Sequence, residues 1–304
     1  MRPTVDSQTL LARLARARGR TLSLILIGGG VAAASAAVSC DQPKPFCIVS
    51  PAPFAVRLDE VSREGDCDDF GPDGFNADAV VGIAPFYQRD GKGQPDYKRG
   101  SIAMRTSEIG VLVGTAEAFG VENSASGGQL YSMGDFADEQ PDDNDICSVP
   151  ELSPTRLVLE AIPAVPDDPA TADEDESFPG LPAQDITLEW SNVKIVVSAA
   201  LFGSQMEADL TDTRVAENGD TCTIRYHALG VSPAVPCFVT DEEGNPSVKD
   251  DGTYEIDPDL CNSEADPEAG RFTGSGISPL SNTQCDAVTG YCLLRGDSVP
   301  AYKE

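Results

Sequence analysis

The chain has 304 residues, enough for one large all-β domain or two small ones, and its 40% hydrophobic content argues against wholesale disorder. It carries 21 basic and 50 acidic side chains; five of the basic residues and one acid fall in the first 20 positions, so the remainder holds 16 against 49, a net charge of −33. Such a field repels nucleic acid and anionic phosphates, which excludes them as expected partners, and it attracts divalent cations or basic partners.

The chain opens with Arg2, Arg13, Arg16, Arg18 and Arg20, followed by an uncharged run over 21–39 that ends in small residues. A basic start, an apolar stretch and small residues make the export pattern. The run leads through Ala37-Val38-Ser39 into Cys40. That ending resembles the lipobox of bacterial lipoproteins. The resemblance implies cleavage before Cys40, diacylation of its thiol and acylation of the new amino terminus. Ser39 matches the small residue before the cut, whereas Ala37 departs from the commoner leucine. Each buried methylene contributes about 0.8 kcal/mol, so two or more acyl chains hold a protein at a bilayer where one does not. Asp41 follows; in enterobacterial members it favours retention in the inner membrane, but that rule varies between bacteria and both membranes stay open. Gly28-Gly29-Gly30 is not a nucleotide-binding loop, because no strand precedes it and no acceptor acid follows at the right spacing. Pro43, Pro45 and Pro51 mark residues 40–50 as a short extended tether.

Nine cysteines are present, and setting aside Cys40 leaves an even eight: Cys47, Cys67, Cys147, Cys222, Cys237, Cys261, Cys285 and Cys292. In an exported chain these read as four disulfides. Closeness in sequence favours Cys285 with Cys292 and Cys222 with Cys237. A zinc site is disfavoured, since there is no CxxC pair and only one histidine.

Strand signals dominate the rest of the chain. Phe54, Val56 and Leu58 alternate with Ala55, Arg57 and Asp59, and Leu157, Leu159 and Ala161 with Arg156, Val158 and Glu160. Met206, Ala208 and Leu210 alternate with Glu207 and Asp209, and Cys222, Ile224 and Tyr226 with Thr223, Arg225 and His227. Period two argues for half-buried strands with one wet face. Along 185–198 the apolar phase moves from Ile186, Leu188 and Trp190 to Val193, Ile195 and Val197, which a bulge near Ser191-Asn192 would repair. Asn218-Gly219 signals a hairpin. A tight two-residue turn there would put Val215 opposite Cys222, with apolar faces that disagree, so either a bulge or a longer loop is needed. Acidic, proline-containing stretches at 136–145, 163–183 and 241–251 read as solvated loops. No long amphipathic helix follows residue 40.

Candidate chemistry is sparse. His227 stands alone, on a strand beside Tyr226, and no GxSxG turn supplies it with a nucleophile. Ser191-Asn192-Val193-Lys194 matches SxxK, but it lies on a strand and lacks its companion motifs. Asp66, Asp68, Asp69 and Asp73 cluster in a glycine-containing loop that could offer oxygen ligands to calcium, although Phe70 and Ala77 break an EF-hand register. Paired carboxylates for glycoside hydrolysis stay open, because separation is invisible in sequence.

The stretches Trp190-Ser191-Asn192-Val193, Gly230–Cys237 and Gly274–Pro279 resemble those of uncharacterised lipoproteins of myxobacterial type. This resemblance covers most of the second half of the chain and implies an envelope location. The organisation expected is a signal peptide over 1–39, a lipidated Cys40 and tether over 40–50, and a single all-β extracytoplasmic domain over 51–304. That domain should be a disulfide-stabilised, sandwich-like fold with long acidic loops. The function expected is non-enzymatic: a chain bound to the membrane through its lipid, which binds or scaffolds an envelope protein or polysaccharide, without a required cofactor. A carboxylate-dependent hydrolase and a calcium-dependent adhesion module are the alternatives.

Overall fold

A computed structural model describes residues 44–67, 80–121, 129–166, 178–241 and 244–302. The five alternating segments fall in the first and the last four of a set of nine strands: β1 (Phe54–Gly65), β2 (Val80–Arg89), β3 (Pro95–Thr106), β4 (Ser132–Asp135), β5 (Ile146–Glu151), β6 (Thr155–Leu159), β7 (Gln184–Val197), β8 (Phe202–Val215) and β9 (Thr221–Val231). They form one antiparallel sheet in the order β4-β3-β2-β1-β9-β8-β7-β5, with β6 also paired to β7. The end strands of this order meet. The Ser153 N–H donates to Met133 O and the Ala137 N–H to Ser148 O, each at 2.8 Å, and Gly134 packs so closely on Glu151 that a Cβ would not fit. The expected sandwich-like packing therefore takes the form of opposite walls of one nearly closed sheet facing each other across a single interior.

That interior is built by the predicted faces. Phe54 and Val56 of β1, Ile186, Leu188 and Trp190 of β7, Met206, Ala208 and Leu210 of β8, and Cys222, Ile224 and Tyr226 of β9 all lie in one apolar cluster. Val193, Ile195 and Val197 join the same cluster, because the β7–β8 register shifts between Ser191 and Lys194 and Asn192 adopts φ 52°. The phase change in the sequence is this bulge. The β8–β9 hairpin has the longer loop. Val215 pairs with Thr221 and Arg214 with Cys222, and the Ala216 N–H bonds Asp220 O at 2.9 Å around Glu217-Asn218-Gly219. Gly219 at φ +90° supplies the left-handed residue that such a three-residue loop requires.

A three-turn helix, α1 (Ser107–Ala118), follows β3 and buries Ile109 and Ala116. Thr106 caps it, its hydroxyl accepting from the Ile109 N–H at 3.5 Å. Among the described residues, no helix is long and apolar enough to cross a membrane.

Beyond β9 the chain has little regular structure: two 3₁₀ turns (Pro258–Cys261 and Pro267–Ala269) and a small hairpin of β10 (Thr283–Cys285) and β11 (Cys292–Leu294). This segment covers part of the outer face of the sheet. Ala55, Val196, Leu201, Leu229 and Val231 form a second core with Cys237, Cys261, Ile277, Cys292, Leu293, Leu294, Val299 and Ala301. Strand ends such as Ala228–Val231 are apolar on both faces for this reason. Buried polar groups fix the seam. Gln205 exchanges hydrogen bonds with the Ala301 backbone (3.1 and 2.8 Å) and donates to the Ser281 hydroxyl (2.9 Å), while Arg57 donates to the carbonyls of Leu294 and Gly296.

The eight cysteines form four disulfides: Cys47–Cys147, Cys67–Cys222, Cys237–Cys285 and Cys261–Cys292. Both pairings favoured by closeness are therefore wrong. Cys285 and Cys292 do stand opposite each other across β10–β11, yet each bonds outward to a neighbouring loop. Cys222 bonds Cys67 because β9 pairs with β1 along its length, so the end of β1 lies nearer than residue 237. The first disulfide also fixes the tether, since the Cys47 N–H bonds Glu139 O and the Ser50 N–H bonds Gly203 O, both at 2.9 Å.

Candidate functional site

Two clusters of polar side chains stand out, one inside the sheet and one in the C-terminal segment. Inside, β8 presents Asp212 and Arg214 on the face otherwise given to Met206, Ala208 and Leu210. Arg214 grips Glu108 of α1 with two parallel hydrogen bonds of 3.0 Å and holds Asp212 at 3.0 Å. Bidentate guanidinium–carboxylate pairing is strong and directional. Burial pushes the Asp212 carboxyl up to about 6 against the pull of Arg214, and burial likewise pushes the nearby Tyr226 hydroxyl up to about 12. The two carboxylates are brought together, but each is spent on the same arginine. Their geometry is that of a clamp between helix and sheet.

The second cluster lines a recess of about 780 Å³, within the usual range of small-ligand sites. Its walls come from the Pro258–Cys261 turn, the loop from Asn262 to Arg271, the stretch from Ser278 through β10, and Arg295. Cys261 and Cys285 stand in the lining, so two disulfides brace it. Three carboxylates converge on Arg271: Asp266 at 3.0 Å, Asp259 at 3.7 Å and Asp257 at 3.8 Å. The guanidinium thus occupies the place where a cation would neutralise them. By contrast, the side chains of Ser263, Glu264, Asn282, Thr283, Gln284 and Arg295 line the recess without a hydrogen bond or ion pair to the described chain. No buried side-chain nitrogen or oxygen among the described residues lacks a partner. The unspent groups therefore face solvent.

Apart from Cys261 and Cys285, the sequence candidates within the described residues fall outside the recess. Cys40 lies outside the described residues, as do Asp68, Asp69 and Asp73; Asp66 is at the end of β1, its N–H bonded to Thr221 O at 3.1 Å. The Sγ atoms of Cys237, Cys261 and Cys285 lie within 4.8 Å of one another, but only because two disulfides pack side by side, and sulfurs committed to those bonds are not thiolate ligands. His227 sits on the outer face, 3.2 Å from Asp297 O and 3.7 Å from Asp209. Lys194 of the SxxK match is ion-paired to Glu207 at 2.7 Å on the strand. Of the candidates within the described residues, only Cys261 and Cys285 line the recess; Asp66, His227 and Lys194 do not. Its own polar residues went unnoticed because they are ordinary loop residues spread from 258 to 295. The only available signal was the density of cysteine, serine and asparagine there.

The fold and site together define a strand-rich, disulfide-braced domain with a polar recess in the C-terminal segment that covers its outer face. A family model for MlpA matches residues 53–233, and the chain belongs to that family. The matched residues include every strand from β1 to β9 and stop where the C-terminal segment starts, so the recess lies outside them. No curated protein and no solved structure matches the chain.

Proposed function

We propose that the chain is a bacterial lipoprotein, anchored in the cell envelope through Cys40, whose folded part binds a partner there and is non-enzymatic. The family's name points to a lipoprotein, in keeping with the export pattern and the Cys40 lipobox. The observation that carries the binding role is the recess: a disulfide-braced cavity in which six of the polar side chains are unspent. A preformed, rigid site loses little entropy on binding. The tether suits the anchor. It is pinned to the body at Cys47, seven positions beyond the lipidated one, a reach of at most about 25 Å.

Two measurements test this reading. Expressed in a bacterium that processes lipoproteins and fed radiolabelled palmitate, the wild type should carry the label in salt-washed membranes and Cys40→Ala should not. The cleaved chain without its lipid should be retained, saturably, by isolated envelopes. A wild-type chain that takes up no label removes the anchor. Absence of saturable retention removes the binding role.

A further inference from the structure

We propose that the C-terminal recess takes a neutral, hydroxyl-rich saccharide; this deepens the binding role above and rests on it. Sugar hydroxyls both donate and accept hydrogen bonds. They are matched by side chains that do the same or that pair a donor with an acceptor, namely serine and threonine hydroxyls and asparagine and glutamine amides. Ser263, Asn282, Thr283 and Gln284 supply this set, and none of the four side chains is engaged elsewhere in the described chain. Glu264 and Arg295 add one charged acceptor and one charged donor.

Charge narrows the ligand further. The lining carries Asp259, Glu264 and Asp266 against Arg271 and Arg295, close to balance, in a chain whose overall net charge is −29. A polyanion would be repelled by the whole molecule. A divalent cation would find its carboxylates already gathered on Arg271. A neutral polar ligand meets neither obstacle. Cys261 and Cys285, each held by a disulfide, keep these walls in place before the ligand arrives.

Calorimetric titration of the purified Cys40→Ala chain with maltohexaose, the hexamer of N-acetylglucosamine and an oligogalacturonate tests the proposal. At least one neutral oligosaccharide should bind, and the polyanion should not. Hydrogen exchange should slow in the segments that line the recess, and the sheet should be unchanged. Asn282→Ala and Gln284→Ala should each weaken binding by about 3- to 10-fold, the worth of one or two neutral hydrogen bonds, and both variants should melt with the unsubstituted chain. No binding of either neutral sugar up to roughly 10 mM, far weaker than specific recognition, overturns the saccharide assignment; saturable retention on envelopes would still stand if only the ligand class is wrong. Binding that both variants leave unchanged, or stronger binding of the polyanion, also overturns it.

Discussion

Replacing Asp212 by asparagine should stabilise the protein at neutral pH, although Asp212 sits in an ion pair. The Asp212 side chain is 1% exposed, and its carboxyl moves from an ordinary value of 3.8 to about 6 because the cost of burying the charge exceeds the attraction of Arg214. The folded chain therefore holds this proton more tightly than the unfolded chain does. Well below pH 3.8 the group is neutral in both states and its contribution is fully favourable; that contribution is lost as the pH rises through about 6. At about 1.4 kcal/mol for each tenfold change in proton affinity, the loss by pH 8 is about 3 kcal/mol. Asp212→Asn mimics the protonated side chain at every pH and leaves Arg214 its two bonds to Glu108. Thermal unfolding with disulfides intact should show the variant melting with the wild type well below pH 3.8 and about 6–12 °C higher at pH 8, given about 2–4 °C per kcal/mol for a domain of this size. An Asp212→Asn chain that melts below the wild type at pH 8 would show that the pair with Arg214 outweighs the burial cost and would refute the reasoning. Arg214→Met, in contrast, abandons two carboxylates and should cost about 3–5 kcal/mol at pH 8.

Deleting Asn192 removes the bulge that turns Val193, Ile195 and Val197 inward. The shortened β7 would present those side chains outward, so soluble folded protein should be lost; a deletion variant with a wild-type melting curve would contradict the assigned register. Opening Cys67–Cys222, whose partners are 155 positions apart, should destabilise more than opening Cys261–Cys292, whose partners are 31 apart. Loop entropy puts the two at about 5 and about 4 kcal/mol, and urea unfolding of the paired serine variants gives the order. Gly203 has φ +71° and lies against Val49 and Ile48, so a Cβ would come within 2.8 Å of the tether backbone. Gly203→Ala should cost at least about 1–2 kcal/mol and speed hydrogen exchange at Ser50, whose N–H bonds Gly203 O.

Strand faces were legible because a pleated strand with one wall on a core writes its burial directly into alternate residues, as Phe54-Val56 and Met206-Ala208-Leu210 do. The bulge was legible for the same reason, since a change of phase has few other repairs. The β8–β9 loop was not settled. Asn218-Gly219 occurs in both turn types, and only the pairing of Arg214 with Cys222 shows that Gly219 alone adopts positive φ in this loop. Helix α1 left a weak trace, because Ser107–Ala118 contains two glycines and buries only Ile109 and Ala116 fully. Disulfide partners were misread because a sheet brings β1 beside β9, so that Cys67 meets Cys222, 155 positions on, while Cys222 lies at one end of β9 and Cys237 beyond the other. The clamp and the recess depend on such long-range pairing: Glu108 meets Arg214 across 106 residues, and Arg295 reaches the loop that follows Asn262.

The intact mass of protein extracted from membranes, measured with and without reductive alkylation, tests the central claim most directly. A chain beginning at acylated Cys40, with eight further thiols appearing only after reduction, is the predicted result. A mass that retains residues 1–39, or free thiols before reduction, would contradict the anchored, oxidised lipoprotein on which the binding role is built.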